Sequence, residues 1–189
     1  MLKKAIKVGL LTILFYLIHV CVLPLLPIGG ICANGLIAGI AIMEVACGKH
    51  IGFIVACVMG VLMEAMSPSL SYLYLALYPI LGVLGGTFFA DKSERDLERR
   101  RTLQRKRKQL PGGLRTVLCA ALITTVSELI FVAYEWLNDV PPTFWRASRV
   151  IMTVIYTVAV TVVLMIAARK ILGIRKLPKR RLHASDYIR

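Results

Sequence analysis

The chain alternates long apolar runs with short polar breaks, and the lengths of the runs point to its class. Runs over residues 5–26, 70–90, 116–137 and 148–168 each reach about the 20 residues a helix needs to cross a hydrocarbon core. Two more, 31–47 and 51–66, are shorter and are joined by the polar link Gly48-Lys49-His50. They predict a helical hairpin that fits the membrane by tilt, local thinning or burial within a bundle. Pro24, Pro27 and Gly29-Gly30 end the first run in a turn, Ser67-Pro68-Ser69 ends the third, and Pro141-Pro142 parts the last two. A positive start before an apolar run also describes a signal peptide. No A-x-A-like site follows, however, and Val20 precedes Cys21, so this run reads as a transmembrane helix. The pattern predicts an all-α membrane protein, with six transmembrane helices in one bundle forming a single integral membrane domain over residues 1–189.

Composition agrees: 58% of the residues are hydrophobic and mean hydropathy is +0.73, too apolar for a soluble domain. The formal net charge of +14 would point to nucleic acid in a soluble protein, but its distribution gives another explanation. Basic residues lie before the first run (Lys3, Lys4, Lys7), at Lys49, in the loop 91–115 and in the tail 169–189, leaving only Arg146 and Arg149 for the other side. That asymmetry predicts N- and C-termini in the cytoplasm. Within the loop, Arg99, Arg100, Arg101, Arg105, Lys106, Arg107 and Lys108 would face anionic lipids or a protein partner. The spacings Asp91 to Arg95 and Asp96 to Arg100 suit a short helix there, stopped by Pro111-Gly112-Gly113.

Between residues 48 and 64, Gly48, Gly52, Ala56 and Gly60 recur every fourth residue, and the next step is Glu64. Such spacing keeps small side chains near one helix face, where another helix can approach closely. The face serves either packing within the chain or a partner. Carboxylates inside apolar segments are functional candidates. Glu64 lies about 14 residues, roughly 21 Å, beyond the link, in the outer half of the membrane. Glu128 stands at a similar height beside Thr124, Thr125 and Ser127, and His19 is in the outer half of the first run. These three converge on a polar site with Arg146 or Arg149 as counter-charge, or else Glu64 simply reaches the interface. Glu44, near its cytoplasmic helix end, reads as a snorkelling interfacial charge.

Catalytic signatures such as H-E-x-x-H, G-x-S-x-G and C-x-x-C are missing from the sequence, and no catalytic residue, metal or cofactor is expected. Gly48-Lys49 lacks the first glycine and the Ser or Thr of a phosphate-binding loop. Cys21, Cys32, Cys47, Cys57 and Cys119 have no metal-like spacing and read as small buried hydrophobes without disulfides.

The order Gly48, Gly52-Phe53, Gly60, an acid at 64, Ser67 and an aromatic-rich stretch from Tyr72 to Gly86 resembles the MreD family of rod shape-determining membrane proteins. That family carries a G-x-x-x-G-F-x-x-G-L-L-x-D-L-x-S-like core, and the likeness covers roughly residues 22–90. Glu64 stands where the family usually has Asp, Ala33-Asn34 where it often has Pro-Asp, and the loop 91–115 is longer than its counterpart. The resemblance implies a non-catalytic scaffold subunit of the bacterial cell-elongation machinery in the cytoplasmic (inner) membrane. It would bind an MreC-like membrane protein through Gly48, Gly52, Phe53, Ala56, Gly60 and Glu64. Through it, MreB-like filaments would be coupled to peptidoglycan synthases of the RodA and penicillin-binding classes. The alternative is a small-molecule-binding subunit like the substrate-binding components of energy-coupling-factor transporters, which have similar size and helix number.

Overall fold

The computed structural model describes residues 2–66, 72–89, 110–138 and 144–172. These form six α-helices: α1 (Leu2–Leu17), α2 (Gly35–Cys47), α3 (Lys49–Met66), α4 (Leu73–Phe89), α5 (Gly112–Leu137) and α6 (Phe144–Leu172). A π-helical turn (Ile18–Val22) and a 3-10 turn (Leu23–Leu25) extend α1. The switch comes where Pro24, which has no N–H to give, can no longer serve the α-helical ladder.

Four segments, Ala5–Leu25, Lys49–Met66, Gly112–Leu137 and Trp145–Ile171, are long and apolar enough to cross a membrane, and Gly35–Cys47 and Leu73–Phe89 are shorter apolar helices. Large apolar side chains face outward on several helices, among them Leu10, Ile54, Ile80, Leu129 and Val163. An apolar exterior this extensive suits lipid rather than water. The chain is a multi-pass membrane protein.

The bundle is built round α2, which packs against every other helix. Each residue from Gly35 to Val45 is buried, as expected of a helix apolar on all sides. At its start, Asn34 accepts the Ile37 N–H on Oδ1 (3.2 Å) as N-cap, gives its own N–H to the Thr157 hydroxyl (3.0 Å) and reaches the Tyr78 hydroxyl (3.5 Å). One residue thereby ties α2 to α4 through its side chain and to α6 through its backbone. On α6, Thr153, Thr157 and Thr161 form a buried stripe of four-residue steps, and Thr153 and Thr161 donate to the carbonyl one turn back.

Basic residues gather at one end. Gly113 lies against the Arg169 guanidinium, and Gly86 lies against Lys49. Arg146 and Arg149 begin α6 at the opposite end. Several boundaries differ from the sequence reading. Residues 31–34 precede α2 in extended form, with Ile28 and Ile31 closing a tight turn through a pair of backbone hydrogen bonds. Helix α5 begins at Gly112, so the Pro-Gly-Gly stretch starts a helix, with Pro111 as its N-cap. Helix α6 extends to Leu172. The loop helix, the basic residues from Arg99 to Lys108, the Pro141-Pro142 turn and the tail beyond 172 lie outside the described residues.

The hairpin between α2 and α3 turns on one residue instead of three. Gly48 adopts φ 92° and ψ 167°, a conformation all but closed to side-chain-bearing residues, and α3 starts immediately after it. Gly48 is therefore the hinge of the hairpin and no part of a helical stripe. Gly48→Ala leaves every neighbour in place, since no atom lies within 4 Å of the added methyl, but forces that backbone. Thermal unfolding in detergent followed by circular dichroism should show a loss of about 1–3 kcal/mol.

Candidate functional site

Glu44 is completely buried, the reverse of the snorkelling position its sequence location implied. It is enclosed in the contact between α2, α3, α4 and α5, which keeps its carboxyl from any interface. Three glycines make the space for it. A Cβ on Gly52 of α3 would overlap the Glu44 side chain, one on Gly85 of α4 would overlap Oε2, and one on Gly82 would stand 3.5 Å from Oε1. From α5, the buried Cys119 thiol donates to Oε2 at 3.3 Å, while Oε1 has no hydrogen-bond partner. One thiol bond returns only part of the cost of taking a carboxyl out of water. A glutamate kept here must be fixed by shape as much as by bonding. Glu44 and Cys119 form an acid–thiol pair, but both are fully enclosed, so no substrate reaches them.

The small-residue face of α3 is occupied from within. Gly52 holds α2, the buried Ala56 meets α4 at Gly82 (2.7 Å from a Cβ placed there), and Gly60 packs on the Tyr74 carbonyl and the Tyr78 Cβ. These positions pack the chain's own helices and leave no free groove for a partner. Phe53 points away from them, 40% exposed, beside Pro79, Ile80 and Phe88 of α4.

At the other end of α3, Glu64 serves α4. Its Oε1 accepts the Tyr72 N–H at 2.7 Å and its Oε2 the Tyr74 N–H at 3.2 Å, so the acid satisfies donors that a helix N-terminus leaves unpaired. Tyr74 stands within electrostatic reach of both Glu64 and Glu128, and its ring packs on Phe131 with centroids 5.6 Å apart. Glu64 and Glu128 thus flank one tyrosine. His19 is elsewhere, in the π turn against Gly35 at the start of α2, with Nδ1 buried and unpartnered. No hydrogen bond or ion pair among the described residues joins it to either acid, and the expected three-way site is not assembled. Arg149 is within electrostatic reach of Glu128, whereas Arg146 pairs with Glu135 at 3.1 Å, an acid absent from the sequence reading. The cysteines differ from expectation too: only Cys119 is buried, Cys21 and Cys32 are exposed, and all five are free.

The Glu44 chamber escaped sequence reasoning. Its signal was Gly82, Gly85 and Gly86, three glycines on one face of an apolar helix, which mark a close approach by something from another helix.

A second feature lies on the outside. Helices α1 and α3 diverge to leave an apolar groove of about 570 Å³ at the basic end of the bundle. Its α1 wall carries Ala5, Gly9 and Thr12, and its α3 wall Ile51, Ile54, Val58 and Leu62. Ala5 and Gly9 are one turn apart, and nothing lies within 4 Å of the Gly9 position. Unlike the α3 stripe, this small-residue pair is unpartnered.

The glycine cradle predicts a compensating pair of substitutions. Gly85→Ala drives a methyl into the carboxyl and should cost about 1–3 kcal/mol. Glu44→Ala in the same chain removes the clash with the carboxyl and leaves only the flexible Ile123 Cδ1 at 2.6 Å to give way, so a double-mutant cycle on detergent melting curves should show a favourable coupling of about 0.5–3 kcal/mol. Compared with known proteins, the chain matches no family model, no curated protein and no solved structure, and its function is read from its own residues.

Proposed function

We propose that this chain is a non-catalytic scaffold subunit of the bacterial cell-elongation machinery, seated in the cytoplasmic membrane and binding the transmembrane helix of an MreC-like partner. The observation that carries this reading is the groove between α1 and α3. It is lined almost wholly by apolar side chains, lies on the lipid-facing exterior, and has in Ala5 and Gly9 the kind of floor that lets a second helix backbone come close. A polar solute would find little to bind there, whereas a single apolar helix would replace lipid with fixed contacts. The resemblance of residues 48–86 to the MreD core supports the same reading, although the stripe itself packs internally and the partner's place moves to α1.

In this proposal all six helices cross the membrane, with α2 and α4 completing the set as short central spans of 13 and 17 residues. A helix of 13 residues is only about 20 Å long, so the extended segment 31–34 and the turn before it make up the depth at one end of α2. The clustering of Lys49, Arg115 and Arg169 at one end supports a cytoplasmic location for both termini. The basic loop then lies where MreB-like filaments, RodA-class and penicillin-binding-class synthase partners and anionic lipids would meet it. The bundle would share its helix number with the substrate-binding components of energy-coupling-factor transporters.

The test is a tagged pull-down from native membranes in mild detergent, with mass spectrometry of proteins and small molecules. An MreC-like protein should be recovered with the wild-type chain and reduced about tenfold by Gly9→Leu/Val58→Trp, the effect of about 1.4 kcal/mol of lost contact. Both substitutions point into the open groove, so the yield of the chain itself should not change. Recovery of an ATPase pair with a vitamin-like molecule would overturn the scaffold reading in favour of a transporter subunit.

A further inference from the structure

At the end of the bundle away from the groove, a second trough opens between the turn at residues 28–31 and the first half of α6. Its volume is about 830 Å³. The turn is a built element, not a loose loop: Ile28 and Ile31 exchange backbone hydrogen bonds at 3.1 Å, with Gly29 and Gly30 both at positive φ between them. It is tethered to α6 where the Tyr156 hydroxyl donates to the Leu26 carbonyl at 2.6 Å. Two rigid walls thus enclose the trough.

The chemistry of the trough is graded along its length. At its mouth, near the N-terminus of α6, are Trp145, Ser148 and Arg149. Deeper along the helix the lining turns apolar, with Met152, Ile155 and Ala159 facing Ile28 and Ile31. Trp145 is largely exposed, the position an indole takes at a membrane interface. Arg149 is exposed as well, and among the described residues no carboxylate is ion-paired with it. Glu128 on α5 is within its electrostatic reach without forming a salt bridge, and the neighbouring Arg146 is taken by Glu135. The guanidinium keeps donors for an acceptor from outside the chain.

We infer that this trough binds one anionic phospholipid from the leaflet opposite the basic end. The phosphate sits at Arg149, beside Ser148, whose hydroxyl is engaged in donating to the Trp145 carbonyl at 2.8 Å, and an acyl chain lies along Met152, Ile155 and Ala159. Charge complementarity selects the occupant. An apolar helix laid in the trough would cover the guanidinium and leave it unpaired, and a water-soluble anion would leave the apolar length unfilled. An amphiphile with a negative head satisfies both ends. The site is separate from the groove proposed for the partner helix, which lies at the opposite end of α1.

The full chain, purified in mild detergent, is mixed with phosphatidylglycerol or phosphatidylcholine, and bound lipid is read by native mass spectrometry. The basic cytoplasmic residues are present in every variant, so the quantity compared is the preference for phosphatidylglycerol in wild type against Arg149→Gln. That preference should fall about fivefold in Arg149→Gln, the worth of one basic residue close to anionic headgroups. It should be retained in Arg149→Lys, which keeps the charge. Ala159→Trp fills the apolar end and should lower the occupancy of both lipids. Equal preference in wild type and Arg149→Gln would overturn the proposal. So would loss of preference in Arg149→Lys, unchanged occupancy in Ala159→Trp, or displacement of the lipid by glycerol 1-phosphate alone, which would mark a headgroup site without an acyl channel.

Discussion

Everything else in this bundle is arranged round a short helix that has no face to solvent or lipid. From Gly35 to Val45 each residue of α2 is enclosed, and at its far turn the enclosed residue is a carboxyl. Backbones can come that close only if the facing residues are small. Gly39 of α2 gives room to Phe15 and Met59, and Gly52, Gly82 and Gly85 give room to Glu44. In a membrane, lipid offers no hydrophobic drive toward association beyond what another helix offers, so such close approach is the main source of packing energy. Glu44 makes this arrangement exacting. A smaller residue there would leave glycines facing a void, and a larger neighbour would strike the acid.

With the centre filled in this way, the outward surface is where another molecule can meet the chain. The two hollows described on it differ in kind. The α1–α3 groove is almost wholly apolar and floored by small residues, the properties a helix reads. The trough against α6 is apolar at one end and cationic and aromatic at the other, the properties an amphiphile reads. Both are formed where α1 or its extension departs from its neighbours, since α1 is the helix held least tightly in the bundle. The Pro24 break turns the chain out of the helix and into the 28–31 turn, so one local feature of sequence shapes a wall of the trough.

The coarse architecture was legible because a lipid-spanning helix announces itself by length and hydropathy, and because basic residues sort by side. The six apolar runs correspond to six helices with shifted ends. Roles of individual polar residues were less legible, for a physical reason: sequence distance from a helix end measures depth along the helix and says nothing about which face a side chain takes. Glu44 is one turn from the end of α2 yet enclosed, because α3 folds back at Gly48 without a spacer and α4 and α5 close over it. Glu64 was singled out as an intramembrane acid, but its partners are backbone N–H groups at the start of α4, invisible to any spacing rule. Asn34 and the Thr153–Thr157–Thr161 stripe carried no sequence signal strong enough to rank above their surroundings. Four-residue spacing of small side chains was the better guide, and it located a real contact face on α3.

Spacing identifies a close-packing face but leaves its partner open, and here the partner of the α3 stripe is the chain itself. The distinction has a functional consequence. A small-residue face already occupied by α2 and α4 could receive another helix only by opening the bundle, at the cost of the Glu44 enclosure. The Ala5–Gly9 face is open to one, since a Cβ placed at Gly9 would meet nothing from another helix within 4 Å. Recognition at α1 therefore costs the fold nothing, while recognition at α3 would dismantle its centre. On that ground the partner helix of the proposal would lie beside α1, and the glycines of α3 belong to the stability of the chain itself.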